Sequence, residues 1–403
     1  MNVKGSSFFY KENVKPKQYN YLTEDLKVDV IIVGGGIGGC LLAYYMAKAG
    51  IKVAVLEKYQ IASGSTCIAT SLLQYELDSN LAGILDYTTE ANVIRVYQLC
   101  QQALKEIDDF INNYGNECHY KKRDCLLYTA KKGEIAEIKK EFEYRVNNGF
   151  EVEFYDKKSN PFSFNLEAGI YSIGGGAVLD PFLFTHQVAK EAEKLGAKIY
   201  ENTEVVKIEY EKDYVTVINN FGTKVKGEII VAATGYNTGL FTNKKYGTFS
   251  TTFNIVTEPL PEINGWKNEC VIRDNKEAYN YLRTTHDKRI IIGGEDISCT
   301  VDLCNENTAE EKYSILLDKL KAMFPNIKEH IKVAYKYCGN FASTRDNVGF
   351  IGKDPDRDKL WFALGYGANG IVYAMLAGMF LTDLYLGKEN KDMQLFKLNR
   401  FEK

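Results

Sequence analysis

The chain has 403 residues, enough for two or more cores, since domains usually run to about 100–200 residues. Hydrophobic residues make up 45% of it and the formal net charge is −3, which supplies no basic field for nucleic acid. Nine cysteines without CxxC spacing and only four histidines argue against a metal site or a disulfide scaffold and for a reducing cytoplasm.

Residues 1–27 are polar and charged, with no apolar core like that of a signal peptide, and are expected to form an arm on the folded domain. Val30-Ile-Ile-Val33 then reads as a buried strand of four β-branched residues. Gly34, Gly36 and Gly39, with Ile37 and Gly38 between the last two, fit G-x-G-x-x-G and open a helix that Gly50 ends. The first glycine permits the turn, the second lets a pyrophosphate reach the backbone, and the third lets helix pack on strand. Lys52–Leu56 is the second strand, and Glu57 follows Gly39 at close to the roughly 20-residue spacing expected of a carboxylate that binds a ribose hydroxyl. This βαβ entry points to an adenine dinucleotide; an ordinary βαβ unit with a glycine turn is the alternative.

Further along, Val93, Val96, Tyr97, Cys100 and Leu104 keep a helical period, and Lys131–Asn147 does so again. Cys125–Thr129 and Glu151–Tyr155 are strand-like. Asp180-Pro181 opens a helix running towards Leu195, stopped by Gly196 and followed by a strand over Lys198–Tyr200. Thr203–Glu209 and Tyr214–Ile218 alternate like a hairpin, and Glu228–Ala233 is a buried strand closed by Thr234-Gly235. Ala278–Thr284 and Arg289–Gly293 are short strands, and Ala309–Met323 is a helix with Pro325 past its end. The apolar run Leu360–Leu386 has the length of a membrane span, but Gly365, Gly367 and Gly370 break it, and Asn369 and Asp383 are polar. A strand over Leu360–Leu364, a glycine turn and a buried helix account for it without a membrane span. The expected organisation is α/β plus α+β. A discontinuous Rossmann-like nucleotide domain spans 28–90, 165–240 and 336–403, and a discontinuous mixed-sheet substrate domain spans 91–164 and 241–335.

Four further segments distinguish a flavin from a nicotinamide dinucleotide. They are Glu57-Lys58-Tyr-Gln-Ile-Ala-Ser-Gly-Ser-Thr66, Thr203-Glu-Val-Val206, Glu228-Ile-Ile-Val-Ala-Ala-Thr-Gly-Tyr236, and Thr344-Arg-Asp-Asn-Val-Gly-Phe-Ile-Gly352 with Gly365-Tyr-Gly-Ala-Asn-Gly-Ile371. With the glycine turn, they resemble the FAD-dependent D-amino acid oxidase superfamily, which includes glycine oxidase and sarcosine oxidase, through essentially the whole chain. The resemblance implies a non-covalently bound FAD. Ser63, Ser65 and Thr66 would meet phosphates and ribityl, the backbone of Val205 or Val206 would meet adenine, and Thr234 and Gly235 would pass close to the cofactor. Gly367, Asn369, Gly370 and Ile371 would border the flavin, where N–H groups at a helix start stabilise negative charge on its N1–C2=O edge. Gln74 and Tyr75 are further expected to approach the flavin.

The family transfers a hydride from an amine- or hydroxyl-bearing carbon to flavin N5, and no general base is obligatory if the amine arrives neutral. Many amine-oxidising relatives carry Trp-Ala-Gly-x-Arg-Pro, the Arg gripping the substrate carboxylate; here the aligned run is Tyr337-Cys-Gly-Asn-Phe-Ala342 and Phe341 stands at the Arg position. Alternation places Tyr279, Tyr281 and Arg283 on one strand face as another anchor, or else Arg283 is a structural ion-pair residue and the tyrosines are packing. Cys338 aligns with the cysteine that sarcosine oxidases link to their flavin, or acts as a small buried hydrophobe. The expected activity is oxidation of a small amine or amino acid, with oxygen, a quinone or a protein as acceptor. A hydroxy acid or polyol dehydrogenase using a non-oxygen acceptor, and a flavin-binding subunit without turnover, are the alternatives.

Overall fold

The computed structural model describes residues 4–5, 7–14, 16–276, 279–298 and 306–402; Ala278, at the start of an expected strand, and residues 1–3, 6 and 15 of the expected arm lie outside them. Three sheets carry the fold. The six-stranded one runs in the order Phe350–Asp354, Arg357–Leu364, Ile229–Ala232, Val30–Val33, Val53–Leu56, Lys198–Tyr200. Its pairs are parallel except at the Phe350–Asp354 edge. Every residue of Val30–Val33 and Val53–Leu56 is buried, as expected of parallel strands covered on both faces.

Helix Ile37–Lys48 covers this sheet, and helix Gly370–Tyr385 crosses it closely: a Cβ on Gly378 would fall 2.6 Å from the Tyr45 ring and 3.2 Å from the Leu41 carbonyl. The apolar run over 360–386 is therefore strand Arg357–Leu364 followed by a helix buried inside the protein. Among the described residues no helix is long and apolar enough to cross a membrane. Helix Pro181–Lys194 starts as its Asp-Pro signal predicts, with the Asp180 carboxylate accepting the Phe182 and Leu183 N–H groups at 2.9 Å. Helix Glu90–Tyr114 buries the predicted Val93, Val96, Tyr97, Cys100 and Leu104, while the expected helix over 131–147 is a short turn followed by Ile135–Asn147.

The ten-stranded sheet is mixed. Its path is Lys4–Gly5, Val333–Ser343, Thr248–Thr257, Ile290–Ser298, Tyr281–Thr284, Val271–Asp274, Lys121–Thr129, Ala168–Val178, Leu72–Gln74, with Val152–Asp156 beside Ala168–Val178. It draws Leu72–Gln74, Ala168–Val178 and most of Val333–Ser343 from stretches that the sequence assigns to the nucleotide part. Long-range pairing decides this, and a linear division of the chain does not register it. Helix Glu306–Met323 packs Tyr313, Leu316 and Leu320 with Phe253, Ile255 and Ile292 of this sheet. The four-stranded sheet is the predicted hairpin, Val205–Tyr210 with Val215–Asn219, extended by Lys224–Gly227 and by Leu26–Lys27. The arm is thus held at both ends, its first strand on the large sheet and its last on the small one.

The pairing of Thr248–Thr257 with Ile290–Ser298 is irregular at one point. Thr251 pairs with Ile297 and Phe253 with Gly294, so Thr252 alone opposes both Glu295 and Asp296. This is a β-bulge, and Glu295 takes the positive φ of 55° within it.

Candidate active site

A cavity of about 1200 Å³ lies between the carboxyl ends of the parallel strands and the large sheet. It exceeds the roughly 300–1,000 Å³ of an ordinary small-molecule pocket. Its first end is the glycine turn. Gly34 has φ +113°, and a Cβ there would fall 2.4 Å from the Ala233 carbonyl; one on Gly39 would fall 1.9 Å from the Gly34 carbonyl. Gly34, Gly36, Ile37 and Gly38 line the cavity, while Gly39 lies just beneath and only lets the helix close on the turn. The Thr66 hydroxyl accepts the Ile37 N–H at 3.1 Å, and the first intrahelical bond is Cys40 to Gly36. The amides of that first turn are the anion-binding end of a helix.

Glu57 and Lys58 line the cavity at the end of the second strand. The Glu57 carboxylate accepts the Gly35 N–H at 2.6 Å and the Tyr59 N–H at 2.8 Å. Burial pushes its pKa up, and these two amides offset part of that shift. Ser63, Ser65, Val205 and Val206 are also on the wall. Ser63 donates to its own loop at the Gln60 carbonyl, 2.6 Å. A bulge between Val205 and Lys207 leaves buried Val205 and exposed Val206 side by side at the opening.

The middle of the cavity is bordered by Thr234 and Gly235, by Gln74, and by the start of helix Gly370–Tyr385. The Thr234 hydroxyl is buried with no hydrogen-bond partner among the described residues, which fits a site shaped for a polar ligand. Gly365 and Gly370 nearly touch, each Cβ falling 2.6–2.8 Å from the other's carbonyl, and Gly367 has φ +89°. Gly367, Gly370 and Ile371 line the cavity. Asn369 does not: its amide donates to the Glu76 carbonyl at 2.8 Å and fixes the helix start from behind. Tyr75 is also buried away from the wall, stacked on Phe150.

The far end is built by strands of the large sheet. Tyr279, Tyr281 and Phe341 line it, as do Phe249, Thr252 and Asn254. The Tyr281 hydroxyl lies 3.0 Å from that of Thr252 and donates to the Asn254 side chain at 3.2 Å; the Tyr279 hydroxyl donates to Asp78 at 2.9 Å. Burial pushes both tyrosines well above their ordinary pKa, so both stay neutral. Arg283 does not reach the cavity. Its guanidinium donates to the carbonyls of Thr70 (2.5 Å) and Leu179 (2.9 Å) and lies over the Phe9 ring, fastening loops and arm together. Alternation does not carry Tyr279 onto this strand, because pairing begins only at Tyr281. Cys338 packs beside Phe253 and Tyr313 under the covering helix and does not line the cavity.

Among the lining residues that the sequence did not single out, two at this end are charged. Arg273, in the otherwise apolar start of Val271–Asp274, is buried. Its Nη1 donates to the Asp78 carbonyl, while Nε and Nη2 have no partner among the described residues. Its guanidinium sits 5.6 Å from the centre of the Tyr279 ring. Asp296, from the bulge, has a buried Oδ1 without a partner, and burial pushes its pKa up to about 6. A lone arginine in a four-residue strand was the available signal for the first; for the second there was none. Asp78 supports both ends, since its carboxylate also accepts the Ala368 N–H at 2.9 Å ahead of the helix.

The sequence matches the family described as FAD dependent oxidoreductase over residues 29–384. It is 26% identical over 387 residues to glycine oxidase of Bacillus licheniformis, covering 93% of this chain and 98% of that one. The fold superposes on glycine oxidase from Geobacillus kaustophilus with a TM-score of 0.79 at 20% identity, covering 93% of this chain and 98% of the other. It superposes on L-amino acid deaminase from Proteus myxofaciens, solved with anthranilate, with a TM-score of 0.80 at 16% identity, covering 100% and 99%.

Proposed function

Because the chain belongs to the FAD dependent oxidoreductase family, we propose that it oxidises the carbon–nitrogen bond of a small amino acid. The observation that carries this reading is the buried Arg273, whose Nε and Nη2 lack partners beside Tyr279 and Tyr281 in the family's cofactor cavity. FAD, when bound, supplies the hydride acceptor. The residues present suit it. The glycine turn and Thr66 would hold its pyrophosphate, Glu57 its ribose, Val205 and Val206 its adenine, and Thr234, Gly235, Gly367, Gly370 and Ile371 its flavin end. Cys338, packed elsewhere, leaves it held by non-covalent contacts.

An arginine fork in a dry pocket matches a carboxylate with two parallel hydrogen bonds. It takes over the role that Phe341 cannot serve. Phe249 and Phe341 add apolar wall that keeps water from the reacting carbon. Anaerobic mixing with a panel of amino acids, amines and hydroxy acids tests the reading. Amino acids are expected to bleach the flavin absorbance, and a protein bleached by none of them, or only by hydroxy acids, refutes it. A companion expectation concerns the cofactor. Gly39→Ala places a Cβ 1.9 Å from a backbone oxygen, so the turn has to open, and the purified variant is expected to lose most of its FAD. The ratio of flavin to protein absorbance reads this directly.

A further inference from the structure

We propose that Asp296 binds the substrate ammonium and takes a proton from it, so that the amine is neutral when its α-C–H bond is broken; this rests on the amino-acid reading above. The proton passes from the substrate nitrogen to Oδ1 of Asp296, the nitrogen keeps its electron pair, and no bond to carbon changes in this step.

The bulge makes the assignment. A regular strand would send adjacent residues to opposite faces in step with the partner strand, but here two residues share one opposing position, and the side chains are re-aimed. Glu295 is drawn to Lys319 and, at 3.6 Å, to Lys312 of the covering helix. Asp296 turns into the cavity, where its Oδ1 meets no donor. The groups facing it are Thr252 from one neighbouring strand, Tyr281 from the other, and Asp78 with Tyr279 beyond.

Register aligns Arg273 with Tyr281 and Tyr281 with Gly293. The arginine and aspartate strands are therefore two strand spacings apart, roughly 10 Å. Anion receptor and cation receptor stand apart on one wall, and a zwitterion joins them. The hydroxyl of a hydroxy acid would donate one hydrogen bond to the aspartate but bring no charge to balance it. In a site of low dielectric an ammonium–carboxylate pair is costly to keep charged, which favours transfer of the proton to give two neutral groups. Burial already pushes Asp296 up to about 6, near the operating range of a general base.

Asp296→Asn in the FAD-loaded protein tests this. With a bleaching amino acid, anaerobic flavin reduction at pH 7 is expected to slow about 100-fold. The deficit is expected to shrink to within about threefold at pH 10, where the amine arrives neutral by itself. Binding is read separately from flavin absorbance with two ligands that are not oxidised. 2-Aminoisobutyrate, which has no α-hydrogen, is expected to bind about tenfold more weakly to the variant, and isobutyrate, which has no amine, as to wild type. A deficit independent of pH, equal weakening of both ligands, or reduction within threefold of wild type throughout overturns the proposal. Asp296→Ser is read in the same way if the Asn variant does not retain FAD. A wild-type flavin that no amino acid reduces removes the amino-acid reading itself, and the proposal with it.

Discussion

Arg273→Leu is expected to weaken amino-acid binding by about 30- to 3,000-fold, the equivalent of about 2–5 kcal/mol at 1.4 kcal/mol per tenfold. The basis is geometric. Its Nε and Nη2 are buried without partners, so a bound carboxylate gains two charge-assisted bonds where water does not compete. The effect should fall mainly on the substrate concentration that half-saturates reduction, because the arginine holds the carboxylate and not the reacting carbon. Arg273→Lys should recover part of the loss, since a point charge replaces the fork. The Nη1 bond to the Asp78 carbonyl is also lost in the leucine variant, so the flavin spectrum serves as the control for an intact site. Stopped-flow reduction across a substrate series checks the expectation; a saturation curve unchanged from wild type sinks the anchor.

The second large effect is on stability. Arg145, on helix Ile135–Asn147, is completely buried and bridges Glu76 at 2.6 Å and Glu141 at 2.9 Å, with Tyr75 and Tyr97 against its guanidinium. Burial works against its charge, but the two glutamates outweigh this and hold its pKa above the ordinary value. Ser172 donates to Glu76 at 2.6 Å, and Tyr97 (3.1 Å) and the Leu81 N–H (2.8 Å) donate to Glu141, so every member depends on the others. Arg145→Met strands two buried carboxylates and is expected to destabilise the protein by about 3–5 kcal/mol. Adding Glu76→Gln and Glu141→Gln should restore part of it, which separates uncompensated charge from poor packing. Denaturant unfolding of the FAD-loaded proteins measures both. A single variant within about 1 kcal/mol of wild type would mean that the network is not what holds this region. The loss would reach the flavin end too, because the Glu76 carbonyl receives the Asn369 amide behind the helix start.

Legibility in the sequence followed the range of the interactions. The glycine turn, the strands around it, Glu57 and the Gly365–Ile371 helix start are each set within a few residues, by tight turns and buried β-branched runs. The structure brings these segments to one cavity. The far end of the cavity was legible only in part: Tyr279, Tyr281 and Phe341 line it, but its arginine and aspartate were not foreseen, because these parts meet only through pairing of separate strands. Arg273 and Arg283 lie on two paired strands, yet one faces the cavity and the other is captured by Thr70, Leu179 and the Phe9 ring, partners far away in the chain. Residue type and alternation favoured Arg283; the packing of loops and arm around it decides otherwise. The large sheet likewise collects Leu72–Gln74, Ala168–Val178 and Val333–Ser343 from far apart in the chain, through pairing that no local signal announces.

The bulge opposite Thr252 makes the position of a carboxylate a matter of counting rather than of composition. Glu295 and Asp296 are chemically near-equivalent neighbours, yet one extra backbone residue gives one of them a lysine outside and the other the interior. Removing one of the two would bring the strand back into regular step and leave a single carboxylate opposite Thr252. In a fold whose members share so few letters, substrate preference can therefore change through a one-residue gain or loss in a strand. A position-by-position comparison of side chains would record that change as a gap and assign it no chemistry.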